Sequence, residues 1–189
     1  MRKIALAAVL ALTGLLAACG GLVEPSTIED GSGPRAEATA PSEAPSEEAS
    51  GNPKIGDKAV YPDGVELEIT KVKVAKAGPI MILSGGEDDA NIEEGDPFYA
   101  VTIRVTNGSA KNIELGMLPT VSFGPDGEEA SQVLGTGAAG ALNGKLVKGK
   151  AKSETFGFIV PKKWAKDVQV EITPSFEYDS TVFTGSLAK

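Results

Sequence analysis

The chain has 189 residues, a net charge of −8, one cysteine and no histidine. The missing imidazole excludes Ser-His-Asp and Cys-His catalysis and every His-containing zinc site. A single thiol excludes a disulfide within the chain, and the acidic balance argues against nucleic acid as a partner.

Arg2 and Lys3 open the chain, and an apolar run covers 4–18. A run of about 15 residues is short for a bilayer-spanning helix, which needs about 20. A positive start, an apolar middle and small residues at the end are the parts of an export signal. The run stops at the one cysteine, in Leu16-Ala17-Ala18-Cys19. That tetrapeptide resembles a lipobox, the pattern read by bacterial lipoprotein-processing enzymes. The resemblance implies cleavage between Ala18 and Cys19 and a diacylglyceryl thioether on Cys19. The mature protein would then sit on the extracytoplasmic face of the cell membrane, held by acyl chains of palmitate type. Two chains anchor stably where one does so marginally, at about 0.8 kcal/mol per buried methylene.

Residues 19–53 follow as an expected disordered linker. They are built from Pro, Ser, Ala and Glu, with seven acidic residues against Arg35 alone. Such a composition buries too little apolar surface to offset chain entropy. All aromatic residues lie beyond it, from Tyr61 onward, so the composition shift places a domain over 54–189.

Within that domain alternation dominates. "VELEIT" puts Val65, Leu67 and Ile69 on one face, and "VKV" shifts phase, which predicts a bulge at Thr70-Lys71. "FYAVTIRVTNGS" is the clearest strand, with Tyr99, Val101, Ile103 and Val105 in phase and a turn at Asn107-Gly108. "TVSFGPDGEE" predicts a strand and a Pro-Asp-Gly turn. "ETFGFIVP" and "DVQVEITPSFEY" predict two more strands, aligned on Phe156, Phe158, Val160 and on Val168, Val170, Ile172. "PKKWAKD" is the best short helix candidate. Short alternating strands joined by turns argue for an all-β, immunoglobulin-like antiparallel β-sandwich.

Four stretches, taken in order, resemble a domain-of-unknown-function family common in lipoproteins of Gram-positive bacteria: "GDKAVYPDGVELEITKVKV", "GDPFYAVTIRVTNGSAKNIEL", "VSFGPDGEE" and "LVKGKAKSETFGFIVPKKWAKDVQVEI". That family is related by fold to small secreted mycobacterial antigens. The resemblance implies an immunoglobulin-like sandwich and a lipoprotein habit. It implies no activity. The glycine-rich "GTGAAGALNG" is longer than the family pattern.

Few residues invite chemistry. Glu87, Asp88, Asp89, Glu93, Glu94 and Asp96 crowd a glycine-flanked stretch without a cation. Dense carboxylates suit calcium, which takes six to eight oxygens, so Asp88, Asp89, Glu93, Glu94 and Asp96 form a candidate Ca²⁺ set. The match to an EF-hand loop fails at Glu94 and Ala100, and a solvated loop is the ordinary alternative. "GTGAAG" over 135–140 has the spacing of a dinucleotide fingerprint but lacks a following helix pattern. "SLAK" over 186–189 has the S-x-x-K spacing of penicillin-recognising enzymes, at a chain end expected to fray. Asn107-Gly108-Ser109 fits a glycosylation acceptor and reads first as a turn. The lysines 145–152 and 162–166 read as edge charges that discourage sheet aggregation, with a basic face toward wall polymer or lipid headgroups as the alternative. Trp164 reads as a plug at one end of the sandwich.

The expected function is a non-catalytic binding or accessory module, anchored at Cys19, for an envelope protein or wall ligand. A calcium-dependent surface domain and a carboxylate-based hydrolase are the alternatives.

Overall fold

The computed structural model describes residues 27–29, 51–84, 92–135 and 137–188, which form strands and turns and no helix. The signal and most of the linker lie outside the described residues. The domain opens with β1 (Thr27–Glu29), β2 (Lys58–Val60) and the long β3 (Val65–Lys76). A connection carrying β4 (Met81–Ser84) leads to β5 (Pro97–Asn107). There follow β6 (Ile113–Met117), β7 (Thr120–Phe123), β8 (Glu128–Glu129), β9 (Ser131–Gly135) and β10 (Leu142–Leu146). The last three are β11 (Ala151–Ile159), β12 (Val168–Ile172) and β13 (Thr181–Gly185).

One layer is the antiparallel sheet β1-β2-β3-β5-β11-β9-β4. Side chains alternate across a pleat, so Leu67, Ile69, Val101, Ile103 and Phe156 turn to one face and are buried. The expected bulge is present: the β3–β5 register shifts between Ile69 and Lys71, leaving Thr70 unpaired. Its hydroxyl donates instead to the Thr102 carbonyl at 3.3 Å.

The facing layer is β13-β12-β7-β8 together with β10-β6. The Gly116 N–H donates to the Pro174 carbonyl just past β12, so β6 continues the line of β7. The line breaks at Leu118-Pro119, where proline has no N–H to give a ladder. Val121, Val168, Val170, Ile172 and Phe183 from this layer join the first layer's apolar face in one core. Each fully buried aliphatic or phenylalanine side chain contributes about 1.5–3 kcal/mol relative to exposure. The molecule is thus an all-β sandwich.

Both seams are crossed by chain. At one, the Pro53 carbonyl accepts the Thr184 N–H and the Ile55 N–H donates to the Thr184 carbonyl, a parallel contact with β13. Three residues on, β2 pairs antiparallel with β3 in the other sheet. At the opposite seam the Ala130 N–H donates to the Val121 carbonyl, β9 then pairs with β11, and β10 returns to pair with β6.

Three expectations change. "PKKWAKD" is a pair of turns, closed by Trp164 N–H to Pro161 and Asp167 N–H to Trp164. The C-terminus does not fray through 188: the Leu187 and Ala188 N–H groups donate to the Ala165 carbonyl, and Leu187 is in the core. Finally, Thr27–Glu29, inside the stretch expected to be disordered, forms an edge strand on β2, with Thr27 opposite Val60 and Glu29 opposite Lys58. Three β-branched or charged residues between Pro25 and Gly31 make a short strand that composition averaging hides.

Candidate functional site

Loops on a β-sandwich gather at its two ends and on excursions between strands, where side chains are not spent on the core. The longest excursion here joins β3 to β5. Its base is clamped by Ala77 N–H to the Asp96 carbonyl and by Gly95 N–H to the Ala77 carbonyl, each 2.8 Å. Ala77 and Met81 fold over Phe98, Ala100 and Val133 on the outer face of the first sheet, with Ala138 beside them. A second, small core therefore fastens the excursion to the domain, and β4 adds itself to β9 as the sheet's last strand.

The acidic stretch is carried on this excursion. Glu93, Glu94 and Asp96 are exposed at its base. The Asp96 carboxylate accepts the Glu93 N–H at 3.0 Å, and the Asp96 N–H donates back to the Glu93 carbonyl. One carboxylate oxygen of the candidate calcium set is thus engaged in holding the turn. Glu87, Asp88 and Asp89 lie outside the described residues, as do Ala18 and Cys19. Among the described residues no group of three or more His, Cys, Asp or Glu side chains is placed to hold a metal ion.

The two lysine groups do not converge. Lys145, Lys148, Lys150 and Lys152 surround the turn before β11, and Lys162, Lys163 and Lys166 follow its end. The strand between them spans about 30 Å at roughly 3.4 Å per residue. At the first end Lys152 donates to the Asn143 carbonyl. At the second, the Lys163 ammonium lies 5.1 Å from the Trp164 ring centre. That ring is half-buried against the main core and covers Gly124, so Trp164 does close one end of the sandwich.

The opposite end holds a buried polar network that the sequence motifs do not announce. Asn107, fully buried, donates from Nδ2 to the Lys111 and Leu146 carbonyls, both at 2.9 Å. Its Oδ1 accepts the Ser109 N–H and hydroxyl. The acceptor nitrogen of the glycosylation pattern is therefore spent inside the fold. Nearby, Tyr61 and Tyr178 meet edge to face at 5.1 Å between ring centres. The Tyr178 hydroxyl donates to Asp63 Oδ2 at 2.8 Å, and the Tyr61 hydroxyl donates to the Asp179 carbonyl and pairs with Thr181. Burial pushes the Tyr61 phenol up to about 12. Burial, with the acceptor carboxylate of Asp63 second, also raises Tyr178. These phenols stay neutral and hold loops together. Lys111 is raised by its hydrogen bond to Glu177 at 2.8 Å.

The remaining motifs resolve plainly. Gly135 and Ala138 exchange two backbone hydrogen bonds, and strand β10 follows where a dinucleotide site needs a helix. The Ser186 hydroxyl donates to the Ala188 and Ala165 carbonyls, so it ties down the chain end. Exposed apolar side chains are scattered, with Phe176 (93% exposed) lying over Gly116 and Leu118 just past the end of β6.

The sequence matches no family model and none of the curated proteins. Two solved structures are similar. The yjhA protein from Bacillus subtilis aligns over 69% of this chain and 97% of its own, at 16% identity and a TM-score of 0.55. An uncharacterized beta-sandwich protein from Clostridium difficile aligns over 75% and 99%, at 14% identity and a TM-score of 0.40. The first likeness is one of fold.

Proposed function

We propose that this protein is a membrane-anchored extracytoplasmic lipoprotein whose β-sandwich serves as a non-catalytic binding or accessory module. The observation that carries the proposal is the placement of the single sulfur. Cys19 ends an apolar export-type run, follows three small or apolar residues, and precedes a polar stretch that leads into a folded domain. Cleavage before Cys19 removes 1–18, and a diacylglyceryl group on the sulfur holds the chain at the cell membrane. Two acyl chains make that attachment stable where one would hold only marginally.

The domain is of immunoglobulin-like type in this reading. What supports it is the entry segment that pairs first with β13 and then with β3, tying the two sheets along one edge. The likeness to the Gram-positive lipoprotein family fits the same arrangement. The accessory role is supported by how polar groups are used: the buried network of Asn107, Tyr61 and Tyr178 is consumed in loop fixation. The partner is an envelope protein or a wall ligand presented at the membrane surface. Labelling with a palmitate analogue tests the anchor: wild-type protein takes the label, and Cys19→Ser does not. Label on both proteins, or on neither, contradicts the reading. In-cell crosslinking and capture of the anchored protein then tests the accessory role against an anchored control domain.

A second reading is favoured by the position of the acidic excursion. Asp88, Asp89, Glu93, Glu94 and Asp96 belong to a connection whose base is fastened to the domain by hydrogen bonds and a small core. A fixed base lowers the ordering cost of gathering oxygens around Ca²⁺. Titration of millimolar calcium into the protein tests this by calorimetry, and no heat rejects it.

A further inference from the structure

The turn between β10 and β11, with its flanks, carries Lys145, Lys148, Lys150 and Lys152, and 143–153 contains no acidic residue. These lysines are exposed, and so is Val147, at 51%, between Lys145 and Lys148. Glu114 stands opposite Lys145 in register, and past that pair the charged residues of the turn are all lysines. Lys152 bends back to the Asn143 carbonyl. Among the described residues Lys145, Lys148 and Lys150 join no ion pair, whereas Lys111 is taken by Glu177. Hydrogen bonds fix the turn from below. The Asn107 N–H donates to the Lys150 carbonyl and the Gly149 N–H to the Asn107 carbonyl, at 2.8 and 2.7 Å. The Lys150 N–H donates to the Val147 carbonyl, the Lys148 N–H to Asn112 Oδ1, and Asn107 Nδ2 to the Leu146 carbonyl. The backbone that presents the cations is thus ordered before any partner arrives, which lowers the cost of binding.

We propose that this turn is a docking surface for an anionic lipid bilayer, with Lys145, Lys148 and Lys150 against the headgroups and Val147 between them in the interfacial layer. Each lysine near an anionic surface strengthens binding about fivefold. An exposed apolar side chain amid those lysines suits a bilayer better than a soluble polyanion, which offers charge without an apolar layer. The other lysine group lacks this arrangement: Lys163 lies over Trp164, and Asp167 follows Lys166 directly. Strand register gives the surface its orientation. Thr27, Val60, Glu66, Thr106 and Ala151 lie in one row across β1, β2, β3, β5 and β11. The end of β1 nearer Cys19 in sequence is therefore at the end of the sheet that carries the turn. The meaning of that agreement rests on the proposed lipid at Cys19; the basic surface does not.

The full chain with Cys19→Ser has no thiol, so one introduced cysteine takes an environment-sensitive fluorophore. One protein is labelled at Ala151→Cys, beside the turn, and another at Asp126→Cys, between β7 and β8 at the Trp164 end. The apolar run 4–18 is common to both, and each label reads only its own surroundings. On vesicles of mixed anionic and zwitterionic lipid, the label at 151 is expected to shift to the blue and the label at 126 to stay. Lys148→Gln with Lys150→Gln is expected to weaken the response about 30-fold. Val147→Asp is expected to remove most of the shift, and Lys162→Gln with Lys163→Gln to leave it alone. An unshifted label at 151, an equal shift on purely zwitterionic vesicles, or an equal loss with Lys162→Gln and Lys163→Gln overturns the proposal. So does the same shift with inorganic polyphosphate in solution, which would mark a general polyanion surface. The protein tested carries no lipid, so a bare sulfur at Cys19 in native material would overturn the anchor and leave this surface standing.

Discussion

Asn107 uses each polar atom of its side chain inside the protein, on Lys111, Leu146 and Ser109. Replacing it with alanine takes a partner from the Leu146 carbonyl and from the Ser109 N–H, while the Lys111 carbonyl keeps the Ser109 hydroxyl at 3.1 Å. Asn107→Ala should therefore cost about 3 kcal/mol in chemical denaturation, on a typical penalty of about 1–3 for each buried unsatisfied group. Next to it, Gly108 is demanded by space: a Cβ there would stand 2.2 Å from the Gly64 carbonyl oxygen. Gly108→Ala should cost about 1–3 kcal/mol or more through backbone displacement. The dipeptide was legible as a turn signal; the chain does leave β5 there, and it crosses to β6 in the facing layer where a hairpin would have stayed in one sheet. Its reason was not legible, because contact with Gly64 is distant in sequence. The tyrosine pair makes a pH-dependent prediction. Tyr61 ionises at its ordinary 10.0 when unfolded and near about 12 when folded, and Tyr178 shifts in the same direction. The unfolded chain releases its protons first, so stability is complete below 10.0 and falls as pH climbs toward about 12. Denaturation midpoints measured across that window should decline, and less steeply in Tyr61→Phe.

Among the elements, the long strands were open to reading because apolar residues recur at every second position along their core-facing side, apart from the slip in β3. β3, β5, β7, β11 and β12 all announce themselves in this way, and Val101, Ile103 and Val105 are buried as the pattern requires. The bulge at Thr70 was legible too, since a phase slip in an otherwise regular strand admits few other causes. Removing Thr70 should take out the bulge and leave a regular ladder, because Lys71 already stands opposite Thr102 and Val72 opposite Val101. A deletion of Thr70 is expected to leave the protein folded, as read by circular dichroism and soluble yield, and an unfolded product would contradict this register. Its substitution by serine should be tolerated. β4, β8, β9 and β10 were not legible. They are two to five residues long; β9 and β10 carry Gly135 and Gly144, and β4, β9 and β10 draw their pairing from neighbours far along the chain. β1 is three residues long, and only its pairing with β2 marks it.

Over the whole molecule, charge and polar chemistry divide by position. The described domain turns its apolar residues into one main core and a small outer one, and its acidic excursion is clamped at the base. The proposed anchor rests on a local pattern, a lone cysteine after an apolar run. A ligand was not legible, because recognition by a sandwich depends on loop shape, which local patterns do not encode. The account as a whole turns on the covalent state of one residue. Mass spectrometry of the N-terminal peptide from protein purified out of its native membrane reads that state directly. The prediction is a chain beginning at Cys19 with a diacylglyceryl group on its sulfur. A free thiol at Cys19, or a mature chain that begins elsewhere, would contradict it.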